Sequence, residues 1–170
     1  MFLFLKPVRL FLSALCAQSA PRQLSMGLAA GILVGLVPKG NLLAIMLGMM
    51  LAASHVNLGI AAAAIICCSV ASPLLDPISH LLGSWLLNHS DLSAFWTWLY
   101  NQPVVPWTAF NNSVVLGSFV TGLLLLYPAH RLSQPLFEKY SEVVGKRVRR
   151  YWLTRALMGA EWTARVGAVE

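Results

Sequence analysis

Two interruptions of otherwise apolar stretches contain the residues best suited to chemistry. In one of them Asp76 lies between Pro73 and Pro77, and His80 follows four residues after Asp76, on the same face if the segment is helical. An ionisable group within an apolar run is costly and is usually satisfied by a partner or a water-filled cavity. Two interpretations stay open: a polar site near the middle of a membrane, or a surface Asp that caps the next helix.

The other interruption is the sequence Pro38-Lys39-Gly40-Asn41. Two interrupted hydrophobic segments in one chain are a pointer to the binding sites of membrane transporters. One hypothesis is therefore that Lys39 and Asp76 approach each other or face one cavity. The alternative is that Lys39 reaches the outer surface from a turn between two short helices.

Known catalytic and metal-binding patterns are missing from the sequence. It has no HExxH, CxxC or P-loop string, and no two of its four histidines are spaced four residues apart. We interpret Cys16, Cys67 and Cys68 as small core residues, not as a disulfide or metal site. The sequence therefore predicts no catalytic residues, no metal, no cofactor and no enzymatic activity.

The distribution of charge indicates the environment of the chain. All 12 Lys and Arg residues lie outside the interval between Lys39 and Arg131, in which Asp76 and Asp91 are the only fixed charges. The chain is 58% hydrophobic and 11% charged, whereas soluble domains have roughly 45–50% apolar and 25% charged residues. This pattern predicts a multi-pass protein of a bacterial inner membrane with both termini in the cytoplasm.

The net charge of +6 raises the question of a nucleic acid partner. The basic residues flank the apolar interval and do not form a patch with aromatic platforms, so we predict no nucleic acid binding. Attraction of the basic termini to anionic lipid headgroups is the expected interaction.

The apolar runs differ in length. Residues 24–37 and 42–53 would be too short as helices to cross a hydrocarbon core of roughly 30 Å. Residues 58–87, broken at the prolines, and residues 107–127 are long enough. An aromatic segment, residues 88–112, is expected at the outer interface. These runs predict an all-α helical bundle of about four membrane segments with broken or re-entrant helices. A re-entrant hairpin followed by one long crossing satisfies the same charge pattern.

Several residues are expected to pack helices together. Gly27, Gly31 and Gly35 fall on one helical stripe, which lets another helix approach closely. Asn111 and Asn112 are predicted about one turn inside the final span, where their amides would hydrogen-bond between helices. Contact with a ligand is the alternative for this pair.

Each end of the chain resembles a helix on the membrane surface. Residues 1–20 place Lys6 and Arg9 opposite an apolar face, which favours a retained interfacial helix over a cleaved signal peptide. Residues 131–170 are expected to form a basic cytoplasmic tail helix. The predicted division is thus a surface helix at 1–20, a membrane domain at 21–130 and a tail at 131–170.

Three strings resemble one family: SAPRQLSMGLAAGILVGLVPKGNL, LLDPISHLLG and FNNSVVLGS. They are similar to small bacterial inner-membrane proteins related to domain of unknown function 2062, over about residues 19–140. The resemblance implies no established activity. It also implies a neighbouring gene for a larger protein with a long envelope-facing region, similar to bridge-like lipid-transfer proteins.

Three functions are compatible with these observations. The chain is expected to be a membrane scaffold, or partner subunit, for a larger envelope protein that handles lipid. The alternative is a small homo-oligomeric transporter or flippase-like unit with a polar site at the broken helices. An enzyme acting on a lipid-linked substrate is the least favoured, because no acid–base cluster is visible.

Overall fold

The computed structural model describes residues 20–150, with side chains to Lys139. This part of the chain is all-helical and contains no strand, which confirms the predicted fold class at that level. Residues 1–19 of the predicted surface helix (1–20) and residues 151–170 of the predicted tail lie outside the described residues. The α-helices are α1 (Pro21–Leu36), α2 (Leu42–Ala53), α3 (Leu58–Asn88), α4 (Ser93–Tyr100) and α5 (Ser113–Arg150). Short 3-10 turns cover Ser90–Leu92 and Val105–Thr108.

Helix starts are set by residues with suitable capping chemistry. Pro21 begins α1. A backbone N–H at this position would have no partner within the helix, so the lack of one in proline costs nothing. Asn41 caps α2 by accepting a hydrogen bond from the Ala44 amide at 2.8 Å. Asn57 caps α3 in the same way through the Ile60 amide at 3.0 Å. Asn is among the best N-cap residues because its carbonyl oxygen satisfies an otherwise unbonded amide.

Helices α1, α3 and α5 form the core of the bundle, and each of them packs against the other two. Helix α1 is antiparallel to α5: Gly122 of α5 lies against Leu33, and His130 lies beside Ser25. Helix α2 returns towards the start of α1, where the Asn57 amide donates to the Gln23 carbonyl at 3.2 Å. Helices α1 and α2 therefore form a hairpin with both free ends at one end of the bundle.

Two helices are long and apolar enough to cross a membrane: α3, and α5 over Ser113–Lys139. Helix α1 has 16 residues and α2 has 12, which correspond to about 24 Å and 18 Å of helix. Both are shorter than the hydrocarbon core, as their run lengths predicted. Among the described residues, two helices are therefore long and apolar enough to cross a membrane, whereas the sequence predicted about four membrane segments.

The proline-containing segments are continuous helices, so the break predicted at Pro73 and Pro77 was wrong. Both prolines lie inside α3, and Pro128 and Pro135 lie inside α5. The predicted separation of an apolar span ending at residue 127 from a tail helix beginning at residue 131 was therefore also wrong, because α5 is continuous across both. Each proline removes one backbone hydrogen bond. A full break exposes many more polar groups, which is the costlier outcome in apolar surroundings.

Candidate functional site

The turn between α1 and α2 is closed by its own polar groups. Gly40 has a φ of +96°, which favours glycine. The Asn41 side chain donates from Nδ2 to the Pro38 carbonyl at 2.8 Å, in addition to capping α2. Of the predicted helix breaks, Pro38 and Gly40 thus lie at a real helix boundary.

Lys39 folds back onto the end of α1. Its Nζ donates to the carbonyl oxygens of Val34 and Val37, both at 2.7 Å, and to that of Gly35 at 3.2 Å. The last carbonyl groups of a helix have no partner within the helix and carry the negative end of its dipole. Lys39 satisfies both requirements, although Val37 and Pro38 separate it from α1.

Asp76 and His80 are not joined to Lys39. Lys39 Nζ donates to three carbonyls at the end of α1, and no ion pair links it to Asp76 among the described residues. His80 instead reaches α5, with Nδ1 2.6 Å from Ser113 Oγ. Asp76 is half-buried, one turn before Ser79 on α3. A shared cavity for Lys39 and Asp76 stays a prediction.

The crossing of α3 and α5 is the closest approach in the bundle. Ser79-x-x-x-Gly83 on α3 faces Ser113-x-x-x-Gly117 on α5. A Cβ at Gly83 would overlap the Ser113 carbonyl, and one at Gly117 would overlap the Ser79 carbonyl. The string LLDPISHLLG thus meets the string FNNSVVLGS. This pair was not predicted, although each string contains the signal for it, two small residues four positions apart.

The interface of α1 with α3 has the same character. A Cβ at Gly27 would lie 2.7 Å from the Asn57 carbonyl oxygen. One at Gly31 would lie 2.6 Å from the Ala61 carbonyl oxygen, and one at Gly35 2.6 Å from the Cβ of Cys68. The stripe of three glycines therefore faces the backbone of α3.

Asn112 has a different role from the one predicted. Helix α5 starts at Ser113, after a 3-10 turn that contains Trp107. Asn112 Oδ1 accepts from the Val114 amide at 2.9 Å, so the residue caps α5 and lies before the span. Asn111 is exposed. The prediction of interhelical hydrogen bonds was wrong because Asn at a helix start satisfies free amides locally.

An apolar groove of about 280 Å³ runs between α1, α2 and α5. Its walls include Met26, Ala30, Leu33, Leu47, Met50 and Leu126. Polar atoms occur mainly at one end, where Ser54, Tyr127 and His130 contribute. The arrangement is suited to holding an apolar chain.

The polar end of the groove is organised by a buried serine. Ser25 is fully buried. Its hydroxyl donates to the Arg22 carbonyl at 3.0 Å and lies 2.9 Å from His130 Nδ1. This network joins the first turn of α1 to α5. Sequence reasoning missed it, because Ser25 and His130 are 105 residues apart.

Aromatic residues enclose a second pocket, of about 350 Å³, at the opposite end of the bundle. Trp96 and Tyr100 line it together with Phe110 and Asn111. Trp96 Nε1 donates to the Leu86 carbonyl at 2.9 Å, which ties α4 to the end of α3. This pocket lies within the segment predicted to meet the outer interface.

Comparison with known proteins gives one match. The model of a family described as an uncharacterised protein conserved in bacteria, DUF2062, matches residues 8–143. No curated protein and no solved structure matches the chain significantly. The match confirms the resemblance carried by the three strings.

Proposed function

This chain belongs to the DUF2062 family of uncharacterised conserved bacterial proteins, and we propose that it is a non-enzymatic inner-membrane subunit that anchors a larger envelope protein involved in lipid handling. The family itself has no assigned activity. The support for the proposal comes from the surfaces of the helices and from the way they pack.

A membrane location is supported by the exposure of the two long helices. In the most apolar 18-residue stretch of α3 only 17% is buried, and in that of α5 only 28%. Val70 and Leu74 on α3 are 78% and 82% exposed. The core helix of a soluble protein would bury such residues, whereas lipid or a protein partner covers them in a membrane.

The proposed topology has two crossings and one re-entrant hairpin. Helices α3 and α5 cross the bilayer, while α1 and α2 enter and return on the side of His130. Both termini then lie in the cytoplasm, which agrees with the positive-inside distribution. In this topology the Lys39 turn ends inside the bilayer, where the hydrogen bonds of Lys39 to carbonyls at the end of α1 compensate the cost of a charge in lipid.

The observation that carries the proposal is the backbone contact between the helices. Gly83 against Ser113, and Gly31 against Ala61, leave no room for even a methyl group. Transport between these helices would require them to separate. The engagement of Lys39 also weakens the alternative of a transporter with a polar site at the turn. Function is then expected on the outer faces of the bundle.

The test is purification of the full-length chain in mild detergent, tagged at its own gene in its native host. We expect a protein with a long envelope-facing region to co-purify at a near one-to-one ratio. Double substitution Met46→Ser/Met49→Ser, on the exposed face of α2, should lower recovery of that protein at least fivefold. Leu74→Ser on α3 serves as the control, because Leu74 is also an exposed apolar residue and is even more accessible than the two methionines.

A chain recovered only as a homo-oligomer that moves lipid in vesicles would contradict the anchor proposal. That result would favour the transporter. If the α2 variant recovers the partner at the wild-type level, the exposed face of α2 is not the surface that binds the partner.

A further inference from the structure

The groove between α1, α2 and α5 combines apolar walls with a basic rim. Its walls reach from Leu47 to the Ser25–His130 network. Arg22 lies in the first turn of α1, one turn before the groove residue Met26, and Arg131 follows His130 on α5. Neither arginine lines the groove itself, but each lies one helical turn beyond a lining residue on the same helix face, Arg22 before Met26 and Arg131 after Tyr127.

These two cations are available for a ligand. Arg22 and Arg131 are exposed, and neither forms an ion pair within the part of the chain that the structure describes. The Arg22 carbonyl and the His130 ring are both held by Ser25. The network thereby ties the first turn of α1, which carries Arg22, to the turn of α5 that precedes Arg131.

We propose that the groove binds one anionic phospholipid, with an acyl chain between α1, α2 and α5 and the phosphate between Arg22 and Arg131. Charge complementarity selects this occupant, because an apolar slot that ends at two cations matches an amphiphilic anion. The inference stands on the groove itself and does not require the partner protein proposed above.

The physical basis of selectivity follows from the surroundings. In a bilayer an acyl chain leaves one apolar environment for another, so burial in the groove adds little hydrophobic free energy. Shape and headgroup charge must then decide the affinity. Arg side chains suit this task because the guanidinium binds phosphate oxygens in a bidentate manner.

The first experiment measures lipid retention of the detergent-purified full chain by native mass spectrometry during titration with phosphatidylglycerol. We expect one tightly retained lipid. Met50→Trp fills the groove and should weaken binding at least tenfold. Met49→Trp is the matched control: both methionines are exposed on α2, 60% for Met49 and 67% for Met50, but only Met50 is among the groove residues. The control should change binding less than twofold.

The second experiment tests the headgroup. Phosphatidylglycerol should bind at least fivefold more tightly than phosphatidylcholine with the same chains. The double substitution Arg22→Ala/Arg131→Ala should abolish this preference, whereas Lys139→Ala should keep it. Each variant is shown to be folded if its thermal unfolding temperature in detergent equals that of the wild type.

Equal affinity for the two lipids, or equal loss with Met49→Trp and Met50→Trp, would overturn the proposal. A lipid-free dimer that Met50→Trp dissociates would also overturn it, since a second copy would then occupy the groove. Loss of the envelope partner leaves all these readouts unchanged, so the two proposals fail separately.

Discussion

The α1–α3–α5 core and helix α2 show two ways in which an apolar helix can be held. The core helices meet through glycine and serine, with backbone against backbone at Gly83 and Gly117. Helix α2 consists entirely of apolar residues and one glycine, yet Ile45, Met49 and Met50 remain exposed on it. Apolar character therefore does not determine which helices associate. In lipid, close approach between small residues supplies the packing that association needs.

The largest expected effect comes from adding one methyl group to the core. Gly117→Ala places a Cβ against the Ser79 carbonyl and should lower the free energy of unfolding by about 3 kcal/mol or more. Gly48→Ala on α2 is the matched control, because nothing lies within 4 Å of that position. It should be neutral or stabilising by up to about 1 kcal/mol. Unfolding by dodecyl sulfate in mixed micelles measures both. Equal effects would remove the distinction between core and α2.

Removing the Lys39 cap should have the next largest effect. Lys39→Met leaves three carbonyls at the end of α1 without their donor and should cost about 1–3 kcal/mol in the same unfolding experiment. Lys39→Arg retains donors and should recover part of this loss.

The double variant Lys39→Met/Asp76→Asn tests whether the two residues are coupled. Because no ion pair joins them, the two changes in unfolding free energy should add to within about 0.5 kcal/mol. A larger deviation would support the hypothesis of a shared site, against the arrangement described above.

Loss of the buried serine hydroxyl should have a moderate effect. Ser25→Ala leaves His130 Nδ1 without its partner on α1 and should lower stability by about 1–2 kcal/mol. Ser133→Ala is the control, since that hydroxyl bonds only to the His130 carbonyl one turn back on α5. A change below about 0.5 kcal/mol is expected there. Chemical denaturation in detergent, followed by circular dichroism, compares the two.

The smallest effect is expected on the outer face of α2. Met46→Ala and Met49→Ala remove exposed side chains and should change the unfolding free energy by no more than about 0.5 kcal/mol. Thermal shift in detergent provides the measurement. A loss as large as that of Gly117→Ala would mean that α2 belongs to the core.

Part of the candidate site could be predicted from residue types and spacing. Gly27, Gly31 and Gly35 indicated a close approach, and the structure places them against α3. Asn favours the N-cap position, which marks Asn112 as the start of a helix. The apolar run from residue 107 suggested instead a span that already contained Asn112. The start of α5 was misjudged because hydropathy averages over many residues and does not detect a local cap.

The amino-acid sequence by itself determined the helical class, the two long apolar helices and the placement of basic residues at the ends. These properties depend on local propensity and on the cost of charge in lipid, which act residue by residue. Only the tertiary structure decided that α3 continues through Pro73 and Pro77, that α1 and α2 form a hairpin, and that Ser25 meets His130. Such features depend on which helix faces which, and the periodicity of a sequence identifies an apolar or small-residue face without identifying its partner.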